Sequence, residues 1–422
     1  MNIKKNILAA AMVVGLVGSA SAANVTYISG STAFRGSANA ALTNYCAQNG
    51  GGLIAWDNAT IGSAGNLLLS YTNGNGVQYV NVHWNGSEAG NQSAAGPATG
   101  VSNAANVSFY QTNAVGQVTT GINNSHTTDL AFSDTYQSTS IFNGKVNGVT
   151  YGALSGFDNA DGIVGVVAFT FVGSTNFPTN ANVTAQVFNQ IAAAGNIPLT
   201  LITGNAADNT NSVYLVGRNV DSGTRLTTLA ETTYGVRTPV TTYAVATGFT
   251  GGGLTTATLS GTSTTNTLIL YPVESIDGIS SVSAGNSGYG SGGTLCGLMT
   301  NVYAQGAALT VAGSPARSTG TNFLLGYAGV SDANGKTNGG LVKLPYNGVS
   351  YSTNAIAQGQ YTYWGYEHLY VSPNANATAK SFATGLGNLI SATPTSTLSP
   401  NLNAADMQCG RNGDGQIVYS NY

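Results

Sequence analysis

A nearly continuous apolar run constrains the fold more than any other feature of the chain. Ile163–Val172 reads IVGVVAFTFV, with one hydroxyl side chain in ten residues. Such a run is typical of a strand that is buried on both faces, as strands are in parallel sheets covered by helices. The run therefore indicates an α/β protein.

Strand-like and helix-like segments alternate along the rest of the chain, which predicts parallel α/β sheets. The predicted strands are Val25–Ile28, Val77–Val82, Asp129–Phe132 and Val213–Val216. The predicted helices are Phe34–Ala47, Ala185–Ala194 and Arg225–Thr233. Phe249–Thr267 is rich in Gly and Thr and is predicted to be an extended loop.

The first residues have the pattern of a secretory signal peptide. Lys4 and Lys5 precede an apolar run, Ile7–Val17, and Ala20-Ser21-Ala22 supplies the small residues that signal peptidase accepts. The apolar run is too short to span a bilayer. We expect cleavage after Ala22. Since no Cys stands at the cleavage site, we expect no lipid anchor.

Charged residues make up 6% of the chain, against roughly 25% in an average protein. The formal net charge is −3 and no basic patch is present, which argues against nucleic acid as a partner. Low charge is also common in secreted and cell-surface proteins. Composition therefore leaves open an adhesive or structural protein.

Cys46, Cys296 and Cys409 allow one disulfide in an oxidising compartment, and the sequence does not determine the pair. No two of them have the spacing of a metal clip, and the three histidines are scattered, so we expect neither a metal nor a cofactor. No Ser/His/Asp set with supporting motifs indicates an enzyme.

Four segments place Gly, Ser or Thr after a strand and before a helix, where backbone N–H groups and the helix dipole favour an anion. Each segment alone also fits an ordinary helix cap. They are Gly30–Phe34 (GSTAF), Gly86–Gly90 (GSEAG), Ser133–Thr135 (SDT) and Arg218–Thr224 (RNVDSGT).

In this order the four segments resemble the phosphate-binding proteins that serve bacterial ABC transporters, a branch of the type II periplasmic binding proteins. The Arg-x-x-x-Ser-Gly-Thr spacing of Arg218–Thr224 is the most specific part. Further segments are similar to the family outside the site: Ile163–Ala168, Val183–Phe188, Leu325–Tyr327 and Ile356–Tyr361.

The resemblance implies a two-lobed α/β fold with a ligand cleft between the lobes. Lobe I would comprise 23–165 and 325–422, and lobe II 166–324. It further implies a non-catalytic, monomeric protein that captures inorganic phosphate, or a similar oxyanion, for an ABC transporter permease. We expect it in the periplasm, or else secreted or at the cell surface.

The resemblance also implies the ligand-binding residues. Arg218 would offer a planar fork of donors to two anion oxygens. Asp134 would accept the proton that phosphate carries near neutral pH and would repel sulfate, which carries none. The whole predicted set is Thr32, Ala33, Phe34, Ser87, Asp134, Arg218, Ser222, Gly223 and Thr224.

Two departures from the family leave other ligands open. Val220 occupies the place where the family often has an acid, and Asp221 is expected either to orient Arg218 or to cap the next helix. Glu88 follows Ser87 directly and is expected to point away from an anion. The alternatives are an adhesive protein on the same fold and a receptor for another oxyanion or small molecule.

Two further patterns have ordinary explanations. Gly288–Gly293 fits the dinucleotide motif G-x-G-x-x-G but follows no clear strand, in a chain with 57 glycines. The aromatic residues Tyr361, Tyr363, Trp364 and Tyr366 fit internal packing better than a sugar-binding platform.

Overall fold

The structure, a computed structural model, describes residues 24–96, 106–112, 118–146, 148–247, 266–272, 274–276, 279–304, 309–311 and 320–421. The predicted signal peptide and nearly all of the predicted loop 249–267 lie outside the described residues. Over the described ranges, no helix combines the length and the apolar character needed to cross a membrane.

Strands and helices alternate as the sequence predicts. The strands are β1 Val25–Gly30, β2 Gly52–Trp56, β3 Asn66–Asn73, β4 Gly76–His83, β5 Val107–Thr112, β6 Val118–His126, β7 Leu130–Ser133, β8 Gly144–Val146, β9 Val149–Tyr151, β10 Ser155–Gly156, β11 Ile163–Gly173, β12 Asn196–Pro198, β13 Ser212–Leu215, β14 Tyr243–Thr247, β15 Asn266–Leu270, β16 Glu274–Ile276, β17 Ile279–Val282, β18 Leu309–Val311, β19 Asn322–Gly329, β20 Val342–Leu344, β21 Trp364–Val371, β22 Cys409–Gly410 and β23 Tyr419–Ser420. The α-helices are α1 Arg35–Gln48, α2 Ser87–Ala95, α3 Ala185–Ala194, α4 Thr200–Thr203, α5 Gly223–Glu231, α6 Gly292–Ala304, α7 Val330–Asn334, α8 Thr353–Ala357, α9 Ala377–Ser391 and α10 Thr395–Leu398.

Internal packing divides the chain into two compact units. The first unit is Met1–Gly165 with Tyr366–Leu398, and the second is Val166–Gly365 with Ser399–Tyr422. Residues 325–365 and 399–422 thus pack with the second unit, and residues 366–398 pack with the first.

The sheet of the first unit has the strand order β21–β7–β1–β4–β3–β2, with β10 paired to β21. β1 is parallel to both β4 and β7, while β2, β3 and β21 are antiparallel to their neighbours. Helix α2 packs on β1 and β7, and α1 packs on α9. The prediction of an α/β fold is confirmed, but the prediction of purely parallel sheets is wrong.

The second unit contains the strand order β12–β13–β19–β11, with β20 also paired to β11. Every residue of β11 after Ile163 is buried, as its apolar sequence predicts. Two of its partners, β19 and β20, are antiparallel to it, so its burial does not depend on an all-parallel sheet. A separate three-stranded sheet has the order β14–β15–β18.

Local sequence explains where helix α3 begins and ends. The Thr184 hydroxyl accepts a hydrogen bond from the Val187 amide at 3.2 Å, which satisfies one unpaired donor of the first turn. Gly195 ends the helix with φ +78°, a left-handed conformation that favours glycine. The observed bounds are those that the sequence predicts.

Burial decides how two other sequence patterns are interpreted, the three cysteines and the aromatic cluster. Cys46, Cys296 and Cys409 are all buried free thiols. Tyr361, Tyr363 and Trp364 are fully buried, and the Tyr361 hydroxyl donates to the Phe169 carbonyl oxygen at 2.8 Å. Because a sugar platform needs an exposed ring face, these three rings serve internal packing.

Candidate functional site

Three of the predicted segments meet at one edge of the first unit's sheet. β1, β4 and β7 are parallel, so their carboxyl ends lie at the same edge. The chain leaves these ends through Ser31, Ser87 and Asp134, all of which are buried. The spacing of the motifs thus reflects a real convergence within this unit.

The first turn allows only glycine at its start. Gly30 has φ +124°, and a Cβ there would lie 1.9 Å from the Phe132 carbonyl oxygen. The Ser31 amide donates to that same oxygen at 2.8 Å, and the Gly86 amide donates to the Gly30 carbonyl oxygen at 2.9 Å. The first two turns are therefore joined through backbone groups.

The predicted ligand-binding residues of the first turn are buried. Thr32 and Ala33 are buried, and the Phe34 amide donates to the Ser31 hydroxyl at 3.3 Å. The Phe34 ring is fully buried and stacks on Phe132 with a centroid separation of 6.2 Å. Phe34 thus anchors the turn by packing, while its neighbours provide the polar groups.

Ser87 and Asp134 form a reciprocal pair. The Ser87 hydroxyl donates to Asp134 Oδ1 at 2.6 Å, and its oxygen accepts from the Asp134 amide at 3.2 Å. Ser87 is the first residue of α2, and no side chain of the preceding residue caps the helix. The two hydrogen bonds between Ser87 and Asp134 fix the orientation of the Asp134 carboxylate.

Glu88 is fully buried and its carboxylate faces the loop that follows β7. Its Oε1 accepts from the Thr135 hydroxyl at 2.9 Å, and its Oε2 accepts from the Ser140 hydroxyl at 2.6 Å and the Ile141 amide at 3.1 Å. Burial raises the pKa of Glu88, these hydrogen bonds lower it, and the charge of Asp134 raises it further. These bonds hold the carboxylate in place beside the Ser87–Asp134 pair.

In the second unit, Ser222 caps helix α5. Its hydroxyl oxygen accepts from the Arg225 amide at 3.2 Å, which leaves the hydroxyl proton able to donate elsewhere. Gly223 and Thr224 form the first turn of this nine-residue helix and are buried. Since Ser222 is the cap, Asp221 does not fill that role; its Oδ2 accepts from Asn219 Nδ2 at 3.4 Å.

Arg218 is fully buried beside the start of α5, and backbone carbonyl oxygens accept hydrogen bonds from part of its guanidinium group. Nε donates to the Tyr289 carbonyl oxygen at 2.9 Å and Nη2 to the Gly290 carbonyl oxygen at 3.0 Å. Nη1 lies 3.5 Å from the Thr224 hydroxyl. The glycine-rich segment 288–293 therefore orients this arginine, a role that its sequence did not indicate.

Two further buried charged residues, Arg225 and Glu367, lie next to the predicted segments, and no sequence motif indicated them. Arg225 donates from Nη1 to the Arg218 carbonyl oxygen at 3.1 Å and from Nη2 to Asn286 Oδ1 at 2.6 Å. Glu367 is fully buried on β21 in the first unit. The only sequence signal for Glu367 is an acid inside the otherwise apolar and aromatic strand Trp364–Val371.

Three solved structures are similar to this chain. A protein from Clostridium perfringens, described as a phosphate ABC transporter substrate-binding protein and solved with bound phosphate, is 12% identical, with a TM-score of 0.44 over 90% of this chain and 100% of its own. An ABC-type phosphate transport receptor from Vibrio cholerae is 14% identical, with a TM-score of 0.38 over 86% and 93%. PstS from Borrelia burgdorferi is 12% identical, with a TM-score of 0.36 over 90% and 98%.

No model of a protein family matches the chain, and no curated protein matches it significantly.

Proposed function

We propose that this chain is an exported, non-catalytic solute-binding protein that captures inorganic phosphate, or a similar oxyanion, for an ABC transporter. The observation that carries the proposal is the reciprocal Ser87–Asp134 pair, which holds a buried carboxylate at the edge of the sheet where two further polar turns end. A carboxylate beside an anion is unfavourable unless the anion brings a proton to share.

The first unit would supply the discriminating group. Asp134 can accept a hydrogen bond from the proton that phosphate carries near neutral pH, whereas sulfate carries none and would be repelled by the buried carboxylate. Such a repulsive contact discriminates between two anions of similar shape. Thr32 would add a neutral hydroxyl group to the same ligand, while Ser87, whose proton goes to Asp134, would position that carboxylate.

The start of α5 in the second unit also favours an anion. Gly223 and Thr224 lie in the first turn of α5, where the helix dipole favours an anion, and the Ser222 proton is available as a donor. Arg218 adds a full positive charge. Because Tyr289 and Gly290 already accept from its Nε and Nη2, we propose that Arg218 acts mainly through its charge.

The location and the partner follow from the same proposal. The N-terminal pattern through Ala22 would direct the chain out of the cytoplasm, and a monomeric receptor in the periplasm would deliver its ligand to a membrane permease.

Isothermal titration calorimetry of the purified chain with inorganic phosphate at neutral pH tests the proposal. We expect saturable binding of one phosphate per chain. Binding of no phosphate and no other tetrahedral oxyanion, together with recovery of the protein at the outer cell surface, would instead favour an adhesive or structural role.

A further inference from the structure

Glu367 is a buried acid on β21 in the first unit. Its side chain is fully buried, and within the described part of the chain neither Oε1 nor Oε2 has a hydrogen-bond partner. Native proteins rarely leave a buried polar group in this condition, because the lost contacts with water are not replaced. Such a group is a candidate for contact with a ligand.

The sheet places Glu367 at the edge where the predicted turns meet. β21 runs antiparallel to β7, and His368 pairs with Ser133. The residue before His368 therefore lies level with the residue after Ser133, which is Asp134. Since β21 begins where β1, β4 and β7 end, Glu367 belongs to the same cluster as Ser31 and Asp134.

The surroundings of Glu367 favour its neutral form. Burial raises the pKa of Glu367 well above its ordinary value, and the charge of Asp134 raises it further. The Ser31 hydroxyl lies close enough to oppose this rise in part, although it does not reach hydrogen-bonding geometry. The charge of Asp134 also raises the pKa of Glu88, and His368 on the same strand is itself held neutral by burial.

A cation does not explain the cluster. Over the described ranges, no group of three His, Cys, Asp or Glu side chains could hold a metal ion. A neutral carboxyl differs from a carboxylate because it has an O–H to donate. Since Asp134 is not within hydrogen-bonding geometry of Glu367, that O–H is not shared with Asp134.

We propose that Glu367, as a neutral acid, is a further ligand-binding residue of the first unit and donates its O–H to an oxygen of the bound oxyanion. This inference rests on the proposed function. Glu367 and Asp134 then have complementary tasks, since Asp134 accepts the proton of phosphate and Glu367 donates to an unprotonated oxygen. Two acids at one anion site are compatible because only one is ionised.

Two substitutions of similar size separate donation from packing. Glu367→Gln keeps a neutral donor, and Glu367→Met removes it. By calorimetry at pH 7 we expect Glu367→Gln to bind phosphate within about threefold of wild type and Glu367→Met to bind about 10-fold or more weakly. The melting temperature of Glu367→Met should equal or exceed that of wild type, because the substitution removes an unpartnered polar group.

Infrared difference spectroscopy provides the second readout. Wild type at pH 7 should show the C=O band of a neutral carboxyl that both variants lack, and phosphate should shift it as the O–H becomes hydrogen-bonded. Wild-type phosphate affinity in Glu367→Met, or a band that phosphate does not move, would overturn this inference alone. Failure of wild type to bind phosphate would overturn the proposed function and this inference with it.

Discussion

The Ser87 hydroxyl donates a 2.6 Å hydrogen bond to Asp134 Oδ1, and the Asp134 amide donates to the Ser87 oxygen at 3.2 Å. Forty-seven residues separate the two in sequence. The pair ties the start of α2 to the end of β7 and fixes a buried carboxylate where an anion is proposed to bind.

Ser87→Ala removes both hydrogen bonds. The Asp134 amide and carboxylate would each lose a buried partner, so the free energy of unfolding should fall by about 1–3 kcal/mol. Phosphate affinity should fall as well, because the carboxylate is no longer oriented. Urea unfolding and calorimetry measure the two effects. Ser37→Ala, which removes a long 3.4 Å hydrogen bond to the Leu398 carbonyl oxygen, is the control and should change both values little.

Arg218→Lys keeps the charge and removes the planar fork. Lysine cannot reproduce the two hydrogen bonds to the Tyr289 and Gly290 carbonyl oxygens, so we expect a loss of about 1–3 kcal/mol in stability. Phosphate affinity should fall about 10-fold or more. The exposed Arg237→Lys is the matched control. Wild-type affinity in Arg218→Lys would show that Arg218 does not serve the ligand.

The two buried glutamates of the first unit should respond oppositely to Glu→Gln. The Glu88 carboxylate accepts from the Ser140 hydroxyl and the Ile141 amide. In Glu88→Gln, the side-chain NH2 group can face such a donor and cannot accept from it. We expect Glu88→Gln to lower the free energy of unfolding by about 1–3 kcal/mol. Glu367 has no such partners, so Glu367→Gln should be neutral or stabilising at pH 7.

The stability of Glu367→Gln should depend on pH differently from that of wild type. Burial and Asp134 raise the pKa of Glu367 well above its ordinary value of 4.5. The stability that this shift contributes is present below pH 4.5 and is lost as the pH rises toward the folded pKa. Glu367→Gln should therefore gain stability relative to wild type between about pH 4.5 and pH 7. A constant difference over that range would contradict the assignment.

His368 should destabilise the fold in acid. Burial lowers the pKa of His368 from 6.5 to about 4, and its Nδ1 lies 2.7 Å from the Asp161 carbonyl oxygen. A lowered pKa contributes stability above pH 6.5 that is lost as the pH falls through the folded value, by about 3 kcal/mol in total. Urea unfolding from pH 7 to pH 4 should show this slope in wild type and in the exposed His126→Gln, and a shallower slope in His368→Gln.

Local patterns predicted the secondary structure well, because strand and helix preferences here agree with the tertiary contacts. Helix α3 matches its predicted bounds, since Thr184 and Gly195 are strong start and stop signals. The direction of β11 was not predictable. A strand buried on both faces has the same apolar sequence pattern whether its neighbours are parallel or antiparallel. The β19 partner of β11 is more than 150 residues away in sequence.

The candidate site was predictable where a residue type at a turn implies its own role. Ser87 and Asp134 were found through their motifs, and the structure places them in contact. Glu367 was missed because its position depends on the register of β21 against β7, which no short motif encodes. The role of Gly290 was missed because it acts through a carbonyl oxygen, which every residue has.

The ratio of phosphate to sulfate affinity in wild type and Asp134→Asn tests the account most directly. Wild type should bind phosphate far more tightly than sulfate. Asp134→Asn should narrow that ratio, because an amide can donate to an unprotonated oxygen, while the exposed Asp57→Asn should leave it unchanged. Equal affinity of wild type for the two anions, or the same ratio in Asp134→Asn, would contradict the proposed role of the Ser87–Asp134 pair.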